Sequence, residues 1–285
     1  MIHRYLGAPI DIHGGGQDLV FPHHENECAQ ARCAWHAPLA NLWMHTGMLR
    51  VNGEKMSKSL GNFLTLKDVL DRCPAHAVRL LMLQTHYRSA LDFQTDQLDG
   101  AVGTVERLTS CIKNLRWAAR NAPQDGAFDD TDRALTAVCK EAQAEFTRQM
   151  DDDFNTSGAL AAIFSLMGAA NTYLADAGGA LTTAPVLRAA DLLVELLGVL
   201  GIDLGEVGGQ DELPFELVGL AREHADYAGD DAQGAADALL AARQEARAAR
   251  DWARADAIRD GIASLGLVVE DTAAGARLRP SKRRA

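Results

Sequence analysis

The spacing of apolar residues changes character near residue 65. Before it, apolar residues come in short runs broken by glycine and proline. Ile10 to His13 reads as a short buried strand, Leu42–Thr46 as a second strand, and Leu49–Val51 with the Asn52-Gly53 pair as a hairpin. Gly14-Gly15-Gly16 follows the first strand, where glycine permits positive φ and close approach of backbone to a ligand. Pro22 suits the first turn of a helix over about 22–36, because its missing N–H has no partner there. Strand, glycine turn and helix N-terminus together form the geometry that receives phosphates in open α/β sheets.

From Thr65 onward the period is helical. Thr65 caps a helix through Val69 and Leu70, and Pro74 restarts one through Val78, Leu81 and Leu83. His86-Tyr87-Arg88-Ser89 interrupts the pattern. A long helix from about 96 to 121 carries Val102, Val105, Leu108 and Ile112. Asp132–Met150 places Leu135, Val138, Ala142 and Phe146 on one face, and Asp151–Thr156 supplies several N-cap candidates. Ala159–Ala175 and Pro185–Leu200 complete an antiparallel bundle. Asn121–Asp130 and Gly201–Gln210 read as linkers. Beyond them, Asp231–Arg250 and Asp251–Leu265 are helical, with Asp251 an N-cap. Leu267–Asp271 and Ala276–Arg279 form strands joined by a turn over Thr272–Gly275.

The fold class that follows is mainly α. A truncated Rossmann-like α/β remnant stands at the N-terminus, helical regions follow, and a small α+β unit ends the chain. Only about two strands of a parallel sheet are visible, whereas a Rossmann-like domain needs several more. The 285 residues, 47% hydrophobic, suffice for two or three domains. No run of about 18 uncharged apolar residues predicts a membrane span, and Met1–Asp18 lacks an apolar signal segment. Five scattered cysteines, Cys28, Cys33, Cys73, Cys111 and Cys139, suit reduced thiols in a cytoplasm. A net charge of −11 gives no global sign of nucleic acid, so such a partner would meet local basic patches. Arg243, Arg247 and Arg250 make one such stripe, and Arg277, Arg279, Lys282, Arg283 and Arg284 another. Trp252 reads as core, with a stacking platform for bases as the alternative.

Candidate chemistry lies mostly in the first 60 residues. His23 and Glu27, four apart, share a helix face and can grip one ion; His24 and Cys28 form a rival pair one residue later. Cys33 is too far along to join either. Taken alone, a His/Glu pair is more often a solvated face and a glycine run more often a flexible turn. Lys55-Met56-Ser57-Lys58-Ser59, followed by Leu60-Gly61-Asn62, is the most specific stretch. Two lysines and two serines in a loop can hold a leaving pyrophosphate as charge builds on its oxygens.

In this order, Asp11–Glu27 and Lys55–Ser59 resemble the second half of the catalytic domain of cysteinyl-tRNA synthetases, a class I family, and the resemblance runs to the C-terminus. It implies residues 1–64 as catalytic domain, 65–125 as helical stem-contact region, 126–210 as anticodon-binding (DALR-type) bundle and 211–285 as a small tRNA-contacting unit. It implies ATP-dependent activation of cysteine and its transfer to tRNA(Cys) by a cytoplasmic enzyme, monomeric in full-length form. Lys58 is then the principal ATP contact, Lys55 its helper and His13 a residue facing the active site. Gly15, Gly16, Asp18 and the 55–59 loop, including Met56, Ser57 and Ser59, would hold the nucleotide. His23 and Glu27 would be zinc ligands, with His24 at one remove. Zinc answers a chemical need: it prefers the thiol of cysteine over the hydroxyl of serine, which an apolar pocket rejects poorly. The acids of Asp151–Thr156, a marker of the bundle, read as caps.

One departure is plain. The sequence holds no H-I-G-H-type loop, the first class I signature, and no cysteine strand of the kind that completes the family's zinc site. In the family pattern a Cys-Ser-Ala run leads straight into a methionine like Met1, so these residues alone are expected to be inactive. Two alternatives follow: a non-catalytic tRNA-binding module, and a relative of the mycothiol cysteine ligases. The helical residues 132–285 speak against the second.

Overall fold

The computed structural model describes residues 2–51, 53–55, 65–121, 128–176, 181–204, 213–272 and 275–281. Helix dominates, with eleven α-helices among the described residues. The chain divides into two compact units. The first takes residues 1–110, 137–168 and 192–203; the second takes 111–136, 169–191 and 204–285.

The first unit begins with helix α1 (Ile2–Leu6) and strand β1 (Ile10–Gly16). Helix α2 (Glu25–Trp35) leads to strand β2 (Ala40–Thr46), which lies parallel to β1 with His13 opposite Trp43 and Gly15 opposite His45. Strand β3 (Leu49–Val51) pairs antiparallel with β4 (Glu54–Lys55) through the anticipated hairpin and parallel with β5 (Leu91–Phe93). Thr65 and Asp68 form a reciprocal capping box at helix α3 (Leu66–Leu70), and α4 (Ala75–Leu83) follows Pro74.

Three expectations fail here. β1 is not buried: Ile12 is 56% exposed, because among the described residues β1 and β2 make a sheet of only two strands. The three glycines are not a turn. They continue β1, and none of them has positive φ. Pro22 does not open a helix. It follows a cis peptide in a kinked turn where Phe21 is extended (φ −133°, ψ 131°), so α2 starts only at Glu25. Helix α1 and strand β5 were not anticipated.

Four long helices follow: α5 (Thr95–Asn121), α6 (Asp130–Asp151), α7 (Thr156–Asp176) and α8 (Thr183–Val199). Their buried residues recur at helical spacing. Leu108, Ile112 and Leu115 lie on α5, Leu135, Cys139, Ala142 and Phe146 on α6, and Ile163, Leu166, Ala170 and Tyr173 on α7. By length and composition α7 is apolar enough to cross a membrane, contrary to the sequence-based expectation; that buried stripe gives its apolarity a use in the core. The cap of α7 is Asn155, whose side-chain oxygen accepts from the Gly158 amide, rather than one of the preceding acids. The predicted linkers lie largely outside the described residues.

In the second unit, α9 (Glu216–His224), α10 (Ala232–Ala248), α11 (Trp252–Ser264) and the hairpin β6 (Leu267–Thr272)–β7 (Gly275–Pro280) close around Leu217, Val218, Leu239, Ile258, Ile262 and Leu267. Asp251 caps α11 as anticipated, accepting from the Arg254 amide. α9 was not anticipated. Trp252 is 59% exposed, so it is not core. Arg277 is not a free cation: its guanidinium bonds Glu270 and the Asn114 side chain.

Candidate functional site

The best-defined cluster of ligating side chains forms where β1, β2 and the start of α2 meet. Parallel pairing sets His13 beside Trp43 and Gly15 beside His45. The turn over residues 17–24 then brings His24 back across the glycines. A Cβ on Gly15 would lie 2.6 Å from the His24 ring, so glycine is required here by close packing rather than by backbone conformation.

His24 is 4% exposed, and its Nδ1 lies 2.9 Å from His45 Nε2. Its ring faces Trp43 at 5.0 Å between centroids and His13 at 5.0 Å. Burial, and then the neighbouring His13, pushes the His24 pKa below the ordinary histidine value. The neutral ring is the form that ligates metals.

Glu27, on the first turn of α2, completes the cluster. One carboxylate oxygen is 2.7 Å from His13 Nε2, and the other is 3.6 Å from the more exposed His23 Nε2. Donor atoms of His13, His24 and Glu27 all lie within 4.8 Å of one another. The expected pair His23 and Glu27 is thus in mutual reach, but the tight group is His13, His24 and Glu27. Sequence reasoning placed His24 at one remove and His13 with the substrate; it did not foresee that both converge on Glu27. Cys28 and Cys33 are free thiols outside this group.

Imidazole and carboxylate are donors zinc accepts, so the residues present fit part of a zinc site. Among the candidate nucleotide residues, Gly15 and Gly16 end β1, and Asp18 is exposed in the short turn just after it. Lys55 ends β4, opposite Arg50. Met56, Ser57, Lys58 and Ser59 lie outside the described residues.

The likeness to known proteins follows the same order along the chain. Residues 1–103 match the class I (C) tRNA synthetase catalytic domain, 145–205 the DALR domain, and 229–279 the cysteinyl-tRNA ligase anticodon binding domain. A cysteine–tRNA ligase of Heliobacterium modesticaldum is 43% identical over 97% of this chain and 55% of its own length. One of Moorella thermoacetica is 44% identical over 99% of this chain and 56% of its own. The chain therefore spans about half the length of the curated relatives it matches. Among solved structures, a ternary complex of leucyl-tRNA synthetase from Agrobacterium radiobacter K84 superposes with TM-score 0.58 at 23% identity, over 72% of this chain and 28% of that one. Mycobacterium tuberculosis methionyl-tRNA synthetase with methionyl-adenylate gives 0.53 at 22%, over 72% and 43%. Those two share the fold; the sequence matches carry the family, and the chain belongs to the cysteinyl-tRNA synthetases of class I.

Proposed function

We propose that this chain supplies the second half of the active site and the tRNA-binding helices of a cysteine–tRNA ligase. The observation that carries this reading is the convergence of His13, His23, His24 and Glu27 at the glycine end of β1. It supports a site that recognises a small thiol-bearing amino acid beside a nucleotide. His23 and Glu27 would hold zinc, with His13 and His24 lining the same pocket. Zinc, when bound, supplies a thiol-selective Lewis acid.

The remaining work falls to the chain's own residues. A carboxylate oxygen of cysteine attacks the α-phosphorus of ATP, and pyrophosphate leaves. Lys58, helped by Lys55, meets the charge that grows on the leaving oxygens, while Met56, Ser57 and Ser59 also hold the nucleotide. Gly15 and Gly16 let the nucleotide approach the strand end, and Asp18 accepts from ribose hydroxyls. The cysteinyl group then passes to the terminal adenosine of tRNA(Cys). Residues 1–64 act as catalytic half, 65–125 contact the acceptor stem, 126–210 the anticodon arm, and 211–285 add a basic contact. The setting is the cytoplasm, and the full-length enzyme acts as a monomer.

A second reading, a tRNA-binding module without catalysis, draws on the apolar surface left open around the small sheet: Ile12 is 56% and Leu42 49% exposed. One experiment separates the two. Bound zinc and cysteine-dependent ATP–pyrophosphate exchange are measured for residues 1–285, alone and with the preceding half of a relative added as a separate polypeptide. The catalytic reading expects no exchange alone and recovery on mixing, together with salt-sensitive tRNA binding throughout. tRNA binding without recovered exchange, despite a complex between the halves, would favour the module. Exchange from residues 1–285 alone would mean that the nucleotide site has been misplaced.

A further inference from the structure

The His86–Ser89 turn interrupts the helical pattern after α4, and the proposed reaction gives it no role. Its contacts are unusual in being divided between two places. The backbone carbonyls of Tyr87 and Arg88 accept from the Gly47 amide (2.7 Å), just past β2, and from the Gln17 side chain (2.9 Å), in the turn beside Gly15, Gly16 and Asp18. A Cβ on Gly47 would overlap the Ser89 carbonyl, so the approach there is close. The side chains of the same two residues go elsewhere. The Tyr87 hydroxyl donates to Asp153 at 2.6 Å, and the Arg88 guanidinium grips the same carboxylate through two nitrogens.

Asp153 sits in the turn between α6 and α7. That turn closes without its carboxylate: the Phe154 amide bonds the Met150 carbonyl, the Asn155 amide bonds that of Gln149, and Asn155 caps α7. Asp153 and Phe154 are both left-handed (φ 55° and 54°), a conformation that side-chain-bearing residues adopt at a cost and that recurs where geometry serves function. Hydrogen bonds from Arg88 and then Tyr87 hold the Asp153 carboxyl at about 2, so it is ionised at any working pH. Beside it, the Thr156 hydroxyl donates to the Leu83 carbonyl at the end of α4, a second tie between the same two segments.

We propose that Tyr87 and Arg88 are positioning residues: their turn is a joint that fixes the glycine-motif end of β1 and β2 relative to the α6–α7 turn. On the functional reading above, which this extension rests on, RNA engaged by the bundle is thereby felt at Gly15–Asp18. The joint consists of two residues whose two ends hold different elements, so loosening the side-chain end frees the carbonyl end.

The test is amide hydrogen exchange on residues 1–285 carrying Asp153→Asn, Arg88→Ala, or both. Each single variant should speed exchange at the Gly47 amide and across 15–19 by about threefold or more, a ratio within the reach of a lost hydrogen bond. The double variant should add little, because both changes cut one contact. Faster exchange confined to 86–90 and 151–156, or a uniform rise that includes the buried amides of α8, would overturn the joint. A second arm adds tRNA(Cys). Wild type should show slowed exchange at 15–19, and Asp153→Asn should not. Equal slowing in both would also overturn the joint. Failure of tRNA to bind would defeat the functional reading alone, because the first arm needs no ligand.

Discussion

Gly15→Ala tests whether the glycine run exists for packing rather than for backbone freedom. The new Cβ would lie 2.6 Å from His24 Cε1, 2.9 Å from Nε2 and 3.3 Å from Leu19 Cδ1. Carbon atoms rest about 3.5–4.0 Å apart, so the ring must retreat by about 1 Å. It has little room to do so. His24 is buried, its Nδ1 is tied to His45 at 2.9 Å, and Trp43 and His13 flank it. Overpacking of this kind costs about 1–3 kcal/mol. Gaining a Cβ in a strand returns about 0.5–1 kcal/mol, which leaves a net loss of about 0–2.5 kcal/mol, and about 1–3 kcal/mol relative to an alanine that meets no clash.

The neighbours are controls. On Gly14 the nearest atom to a new Cβ is the Met44 carbonyl oxygen at 3.7 Å, an ordinary contact, so Gly14→Ala should be neutral or slightly stabilising. On Gly16 the Cβ meets the tip of the exposed Asp18 side chain, which can rotate away. Urea unfolding of the three variants, followed by tryptophan fluorescence, gives the ranking. Zinc affinity by chelator competition should fall about tenfold for Gly15→Ala alone, since His24 supports the donor group. Gly15→Ala as stable as Gly14→Ala would refute the packing argument.

Asp132, 2% exposed, accepts from the Tyr173 hydroxyl (2.5 Å), the Thr182 hydroxyl (2.8 Å) and the Asp129 amide (2.9 Å), so Asp132→Ala should destabilise by about 2–4 kcal/mol in urea titration. Burial acts to raise its pKa, but those hydrogen bonds outweigh burial and lower it. Its contribution should therefore be complete above the unfolded value of about 3.9 and fade as pH falls below it, an acid limb that Asp132→Asn should lack. Arg277→Ala should lower the stability of the C-terminal hairpin yet leave the salt slope of tRNA binding unchanged, because the guanidinium is engaged by Glu270 and Asn114; a slope smaller by about 0.7–0.9 would make it a phosphate contact. Lys58→Ala, in the chain combined with the preceding half of a relative, should slow pyrophosphate exchange by about 100- to 1000-fold; a change within threefold would reject the assigned role.

The parts legible from sequence are those decided by neighbours along the chain. Helical spacing located α5 to α8, and Thr65 and Asp251 were readable as caps because a cap is a three-residue affair. The hairpin β6–β7 showed in the same way. What failed depends on contacts between distant residues. Nothing local distinguishes three glycines in a strand from three in a turn; parallel pairing with Met44, His45 and Thr46 on β2 decides it. Trp252 has the composition of a core residue, and only the path of α11 leaves it exposed. His23 and Glu27 were visible through their four-residue spacing, whereas His13 reaches Glu27 only through the way β1 and α2 come together. The Asp153 carboxylate looked like one of several caps because its partners lie some 65 positions earlier.

The donor cluster is built entirely from residues 13–45, and that bears on how the proposed half-site would work. His13 rests on Trp43 at 4.6 Å, Trp43 stacks on His45 at 6.1 Å, and His45 holds His24. Two strands in fixed register and one helix turn carry all of these contacts, so the arrangement needs no further strand to exist. A partner half bringing thiolates would then meet donors already in place. Little conformational entropy would be lost in ordering them, and metal affinity should rise on mixing without a change in helix content. If far-ultraviolet circular dichroism instead showed large refolding on mixing, the cluster would be a product of the complete sheet rather than a property of these 33 residues.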